Sequence, residues 1–140
     1  MRWVKGKTKT VWLPRTASVT FTEGDLVQLT TGQVATATTQ STKHVGIIRK
    51  SVASTDADFA TSAVKVPVEV PLDPSCEFES TVTGTLVTTS LGVIYDLSSA
   101  SVVNQGGTTY GVVTCKGFIT STKGRFSLNS NQDFADATWE

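Results

Sequence analysis

The stretch FTEGDLVQLTTGQVATATTQSTKHVGIIRK, residues 21–50, decides the fold class. Glu23-Gly24-Asp25 forms a turn, Leu26 to Leu29 runs as a strand, and Thr30 to Gly32 turns again. The segment QVATAT returns as a second strand, and after a Thr/Ser-rich loop at 38–43 the run HVGIIRKSV makes a third. Gly and Asp at the corners supply the backbone geometry of tight turns, including φ > 0. Gly46 inside the third strand predicts a bulge or a close backbone approach. The stretch holds the single histidine, no cysteine and no paired carboxylates, so it is orderly in structure and poor in chemistry.

Working outward, the chain of 140 residues is long enough for one domain with a real core and short for two. Twelve basic and twelve acidic residues cancel, which removes the field that favours general nucleic-acid binding. Charged residues make up only 17% of the chain, and Thr, Ser, Gly and Val take their place, a composition suited to pleated, half-buried surfaces. No apolar run has the length of a bilayer span, and MRWVKGKTKTVW has no apolar segment behind its positive charge, so neither a membrane role nor a secretory signal is expected. Cys76 and Cys115 are expected as buried, reduced thiols, with a single bridge as the alternative.

Residues 1–15 stand apart as a basic N-terminal arm. Arg2, Lys5, Lys7, Lys9 and Arg15 have no acid among them, Trp3 and Trp12 are interleaved, and Pro14 marks the boundary. Two tryptophans left in water would forgo about 1.5–3 kcal/mol each relative to burial. The arm is therefore expected to dock, on its own domain or on a partner chain, with a frayed tail as the plainer alternative. A β-barrel domain is expected over 16–128 and an acidic, polar tail with Phe134 and Trp139 over 129–140. Within the domain, VKVPVEVPLDP alternates strictly, with Val64, Val66, Val68 and Val70 on one face and Lys65, Pro67, Glu69 and Pro71 on the other. Two prolines on one face predict an edge strand, either blunted or paired with another chain. Further strands are expected at CEFESTV, GTLVTTS, GVIYDL, YGVVTCKGFI and GRFSL.

One internal echo runs through these strands. GDLVQLTTGQV (24–34) aligns without a gap on GTLVTTSLGVI (84–94), and VGII (45–48) is matched by YGVV (110–113). If structural, it implies two similar three-stranded units in one barrel or sandwich; otherwise valine-threonine strands simply resemble one another.

Catalytic and metal-binding patterns are missing from the sequence. His44 is the only base available to a nucleophile relay, and neither cysteine has a nucleophile context. One histidine and two scattered cysteines fall short of a zinc site, and Asp56–Asp58 is too sparse for a calcium loop. QGGTTYG (105–111) lacks the lysine and helix of a phosphate cradle and reads as a hairpin turn. Glu77 and Glu79 share a strand face and are expected to be solvated. No catalytic residue, metal or cofactor is expected, and the protein is not expected to be an enzyme.

The pattern EGDLVQLTTGQVATAT…HVGIIRK, then VPVEVP, then GTLVTTSLGVIYDLSS…GVVTCKGFI resembles tailed-phage head decoration (capsid cement) proteins over about residues 18–126. The likeness lies in the style of the β-hairpins and includes no catalytic signature. It implies an all-β fold, a small β-barrel or β-tulip or sandwich of short antiparallel strands, without enzymatic activity. It also implies a place on the outer surface of the virion capsid, self-association as a trimer, and the major capsid protein as partner. The residues assigned to that contact from their chemistry are Trp3, Val4, Lys5, Lys7, Lys9 and Trp12, with Val66, Val68 and Val70 on the possible edge strand. The same fold would also serve a tail or head–tail connector protein, or a ligand-binding β-sandwich.

Overall fold

In the computed structural model, which describes residues 1–39 and 43–129, the chain is all-β, with one 3₁₀ turn at Thr88–Ser90. The tail beginning at 130, with Phe134 and Trp139, lies outside the described residues. Eleven strands follow in order: β1 (Arg2–Lys5), β2 (Thr8–Pro14), β3 (Leu26–Thr30), β4 (Gln33–Thr36), β5 (His44–Ile48), β6 (Lys65–Pro71), β7 (Glu77–Thr83), β8 (Ile94–Ser99), β9 (Val102–Asn104), β10 (Val113–Thr120) and β11 (Lys123–Leu128).

The strands form two sheets with the same wiring. The first runs β2-β6-β5-β3-β4, and the second runs β7-β11-β10-β8-β9 with β1 added beside β7. Parallel pairing of β7 with β9 closes the second sheet into a five-stranded barrel. The first sheet is drawn together at the corresponding place by a single parallel bridge, Arg15 to Val34. The registers match strand for strand. Val27 lies opposite Gly46 where Tyr95 lies opposite Val113, and Val11 opposite Val68 where Phe78 lies opposite Phe126. Even the corner before β3 recurs before β8. Gly24 N donates to Ile48 O at 2.9 Å and Gly92 N to Cys115 O at 2.8 Å. Both glycines have positive φ, 98° and 80°, which other residues rarely adopt.

The internal repeat is therefore real, with a register and a size different from those expected. Gly24 corresponds to Gly92, not to Gly84, and each unit has five strands instead of three. GTLVTTS, expected as a strand, holds the 3₁₀ turn instead. QGGTTYG is not a hairpin turn, because β10 pairs with β8 and β11 and not with β9. Two five-stranded units are thus present, the first formed by β2–β6 and the second by β7–β11.

Each unit has its own apolar interior. Val11, Leu13, Phe21, Val27, Val34, Val45, Ile48, Val52, Val66, Val68 and Val70 fill the first. The second is built around Phe78 and Phe126, whose ring centroids are 6.1 Å apart, and it also takes Leu26, Ala37 and Ile47 from the first sheet. Those three side chains face outward from one unit and inward to the other, so the two barrels share a packed seam. Leu26 N donates across it to Ala100 O at 2.7 Å, and Thr39 Oγ1 to Leu97 O at 3.0 Å.

The proline-bearing strand β6 is not an edge strand. It lies between β2 and β5, with Val66, Val68 and Val70 fully buried. The reason lies in the parity of the pleat, since neighbouring residues turn their main-chain groups to opposite sides within the sheet. Arg15 N bonds Val64 O and Leu72 N bonds Lys7 O, so even-numbered residues of β6 serve β2 over its whole length. Pro67 and Pro71 belong to the other set, facing β5, where only Ile47–Glu69 and Ile48–Val68 are in register. Both missing N–H groups fall on the thinly paired side.

Candidate interaction surface

Residues 1–15, expected as an arm, are incorporated in the fold. β1 pairs with β7 of the second unit, Gly6 turns, and β2 pairs with β6 of the first. Together β1–β2 and β6–β7 form one antiparallel ribbon that crosses the seam. Gly6 has φ 89°, and a β-carbon there would lie 2.5 Å from the Cys76 sulfur, so the crossing point admits no larger residue. Cys76 and Cys115 are both buried free thiols. Cys76 Sγ donates to Lys7 O, and burial raises the pKa of Cys115.

The six residues assigned to partner contact fall into two groups. Trp3 is committed internally. Its ring meets Phe78 edge-on at 5.6 Å, and its Nε1 donates to Glu69 O at 2.9 Å. That carbonyl also explains Gly46, where a β-carbon would lie 2.2 Å from Glu69 O, making it the close-approach glycine. Lys5 is bound to Glu77 at 3.1 Å. Glu77 is buried and Glu79 receives Lys123 at 2.6 Å and Arg2 at 3.5 Å, so the pair is not solvated as expected. The hydrogen bond from Lys123 is the main cause of the lowered Glu79 pKa. Arg2, Glu79 and Lys123, with Met1, Ser80, Thr81 and Ser101, line a cleft of about 260 Å³. Ser80 Oγ at its wall donates to the main-chain oxygen of Thr81 at 2.9 Å.

The second group faces solvent. Trp12 is 57% exposed and Val4 37%, and Lys7 and Lys9 are also exposed. Trp12 lies on the outer face of β2, directly across from Pro67, with Lys65 across from Pro14. The outer face of the ribbon thus presents the indole with Lys65 nearby, while the other side of the pleat carries Lys9 at its start and then Val11 and Leu13.

Two buried polar groups prove to be structural. Arg15, 1% exposed, donates to Asp58 O at 2.7 Å and Phe59 O at 3.2 Å, and lies 3.5 Å from the Asp58 carboxylate. It holds the long connection between β5 and β6. Asp96 is buried and accepts from the main-chain nitrogens of Thr109, Tyr110 and Gly111 at 2.8–3.0 Å, shaping the QGGTTYG arch. His44 is fully buried at the start of β5, and burial pushes its pKa down to about 4.

Sequence reasoning missed a second exposed apolar region. Val87, Leu91, Val93, Ile94, Tyr110, Phe118 and Ile119 all lie in the second unit. Leu91 and Val93 flank Gly92 at a corner outside any strand, so no alternation marks them as exposed. Among the described residues, no group of three or more His, Cys, Asp or Glu is placed to hold a metal ion. Among the same residues, no helix is long and apolar enough to cross a membrane. A scan against protein-family models finds no match for this chain, and a search of curated proteins finds none either.

Proposed function

We propose that the protein is a non-enzymatic structural component of a phage virion, attached to the outside of the capsid as a decoration or cement protein. The observation that carries this reading is Trp12, a large aromatic group presented to solvent on a folded strand, with Lys65 on the same face one position along the neighbouring pairs. An exposed tryptophan in that setting suits an anchor, because aromatic groups that become desolvated dominate interface energy. The lysine suits an acidic shell surface, and many weak contacts over a lattice add through avidity. The resemblance to the capsid cement family supplies the partner, the major capsid protein. Self-association as a trimer is assigned to the exposed apolar side chains of the second unit, among them Leu91, Ile94 and Phe118.

Because residues 2–14 are strands, deleting them would remove part of both sheets and is no test of attachment. Point variants are cleaner. Trp12→Ala is expected to change unfolding free energy by less than about 0.5 kcal/mol, as surface substitutions do. It should weaken cosedimentation with emptied, expanded shells by at least about tenfold. Trp3→Ala is expected to cost about 3 kcal/mol in stability through lost core packing. Saturable binding of the wild-type protein at a fixed ratio to the shell protein supports decoration. Rings or tubes of the free protein, with no shell binding, would transfer it to the tail or the head–tail connector.

A further inference from the structure

The second unit exposes apolar side chains beside the point where its last described residue stands. Ile94 pairs with Thr114 across β8 and β10, so their side chains share one face. It is the outer face, because Tyr95 and Val113, the next pair along, belong to the core. Thr114 Oγ1 donates to Asn129 Oδ1, which brings Asn129 to the same face. Asn129 is fixed further through its N to Val112 O at 3.0 Å and its Nδ2 to Gly111 O at 2.9 Å. A β-carbon on Gly111 would lie 3.2 Å from Ile94 Cδ1, so the isoleucine reaches the same spot. Ile94 is 45% exposed, and Leu91, on the corner leading into β8, is 53% exposed. The chain thus continues into residue 130 from beside an unburied apolar strip.

Charge on this side is one-signed. Between Gly84 and Asn129 the only acidic residue is Asp96, which is buried and accepts from three main-chain nitrogens. The basic residues of the same span are Lys116, Lys123 and Arg125, and Lys123 is paired with Glu79. Lys116 lies two residues past Thr114, and Arg125 two residues before Ser127, the β11 partner of Thr114. Both are exposed, and among the described residues neither is in an ion pair.

We propose that residues 130–140 of the same chain cover this strip, with their aromatic side chains on Ile94 and Leu91 and their acids toward Lys116 and Arg125. The segment is the chemical complement of the face: Phe134 and Trp139 are its large apolar groups, and it has Asp133, Asp136 and Glu140 with no base. Its reach is sufficient. Phe134 is five residues past Asn129 and can extend about 17 Å, whereas β8 lies two strands from β11, about 10 Å. Attachment to the same chain gives the segment a high effective concentration at the strip, which favours it over the same segment of a second copy. A trimer built on this face would first have to displace residues 130–140, a consequence that rests on the self-association reading. The docking itself does not.

The test uses the full chain in dilute solution without shells, so its failure is distinct from failure of the attachment reading. Chymotrypsin cleaves after accessible aromatic residues, and mass spectrometry follows the cut after Phe134. The reference is a free peptide of residues 130–140. In the full chain this cut is expected to be at least about tenfold slower than in the peptide, since a covered segment is cleaved only when it opens. Leu91→Ser and Ile94→Ser should each recover most of the peptide's rate, with the unfolding midpoint unchanged because both side chains are half-exposed. Arg125→Glu should also speed the cut, as should about 0.5 M salt. Three results would each overturn the proposal. The full chain is cut as fast as the peptide; slow cutting survives all three substitutions, as when the segment rests elsewhere; or the protection fades on dilution, as when a second copy supplies it.

Discussion

The first unit holds valine where the second holds phenylalanine. Val11 faces Val68 in one barrel at the positions where Phe78 faces Phe126 in the other. The smaller pair suits a sheet drawn together by one bridge, whereas the larger pair fills a barrel closed by three parallel pairs, Thr81–Val102, Val82–Val103 and Thr83–Asn104. A second contrast lies one turn away. Arg15, buried under the β5–β6 connection, takes the place of Val82, because the corresponding link between β10 and β11 is a tight turn that needs no internal support. The same wiring is thus stabilised by burial of rings in one unit and by a buried guanidinium in the other.

The strongest way to break this comparison is to empty the aromatic pair. Phe78→Ala should cost about 4 kcal/mol, and Val11→Ala about 2, because a deleted ring leaves the larger cavity. Denaturant unfolding of the two variants would measure the gap, and equal losses would show that the barrels do not differ in how they are packed. Next in size is Arg15→Met, expected to cost about 3 kcal/mol by leaving the carbonyls of Asp58 and Phe59 without their donor. Val82→Ala, its counterpart, should cost about half as much. If Arg15→Met proves neutral, the connection is held by its own turns.

A pH titration sharpens the contrast further. His44 is the chain's one histidine and belongs to the first unit. Its folded pKa of about 4 lies below the ordinary value of 6.5, so the unfolded chain takes up the proton first as pH falls. Stability is complete above about pH 6.5, declines between there and about pH 4, and is lower by about 2 kcal/mol at pH 5. His44→Gln should flatten that slope. Amide exchange at Val45 and Ile48 should follow pH more closely than at Val113 and Cys115; equal response in both units would mean that the barrels open only together.

Much of the fold was legible in the sequence, and the errors have definite physical origins. Strict alternation in VKVPVEV marked β6 and its buried valines correctly. Its rank in the sheet was misread because proline parity shows only that one side of a strand is impaired, and the neighbour on that side is set by distant residues. The glycine corners betrayed the repeat, yet Gly84 precedes a 3₁₀ turn and Gly92 the true equivalent corner, and both have positive φ. Composition cannot distinguish them. Of the two tryptophans in the basic segment, chemistry alone treats both as anchors. Only the pleat assigns Trp3 to the interior and Trp12 to solvent, since the bend at Gly6 separates the two strands that carry them. The charges of Glu77 and Glu79 looked solvated because their partners, Lys5 and Arg2, are remote in sequence.

The ribbon that crosses both units also has a consequence for biosynthesis. β1 leaves the ribosome well before its partner β7, which begins only at Glu77, after β6 has completed the first sheet at Pro71. During translation the first unit can therefore assemble while Trp3 remains without Phe78 to pack on. Residues 2–5 can take their place only once β7 has been made, and their pairing with it ties the two units together.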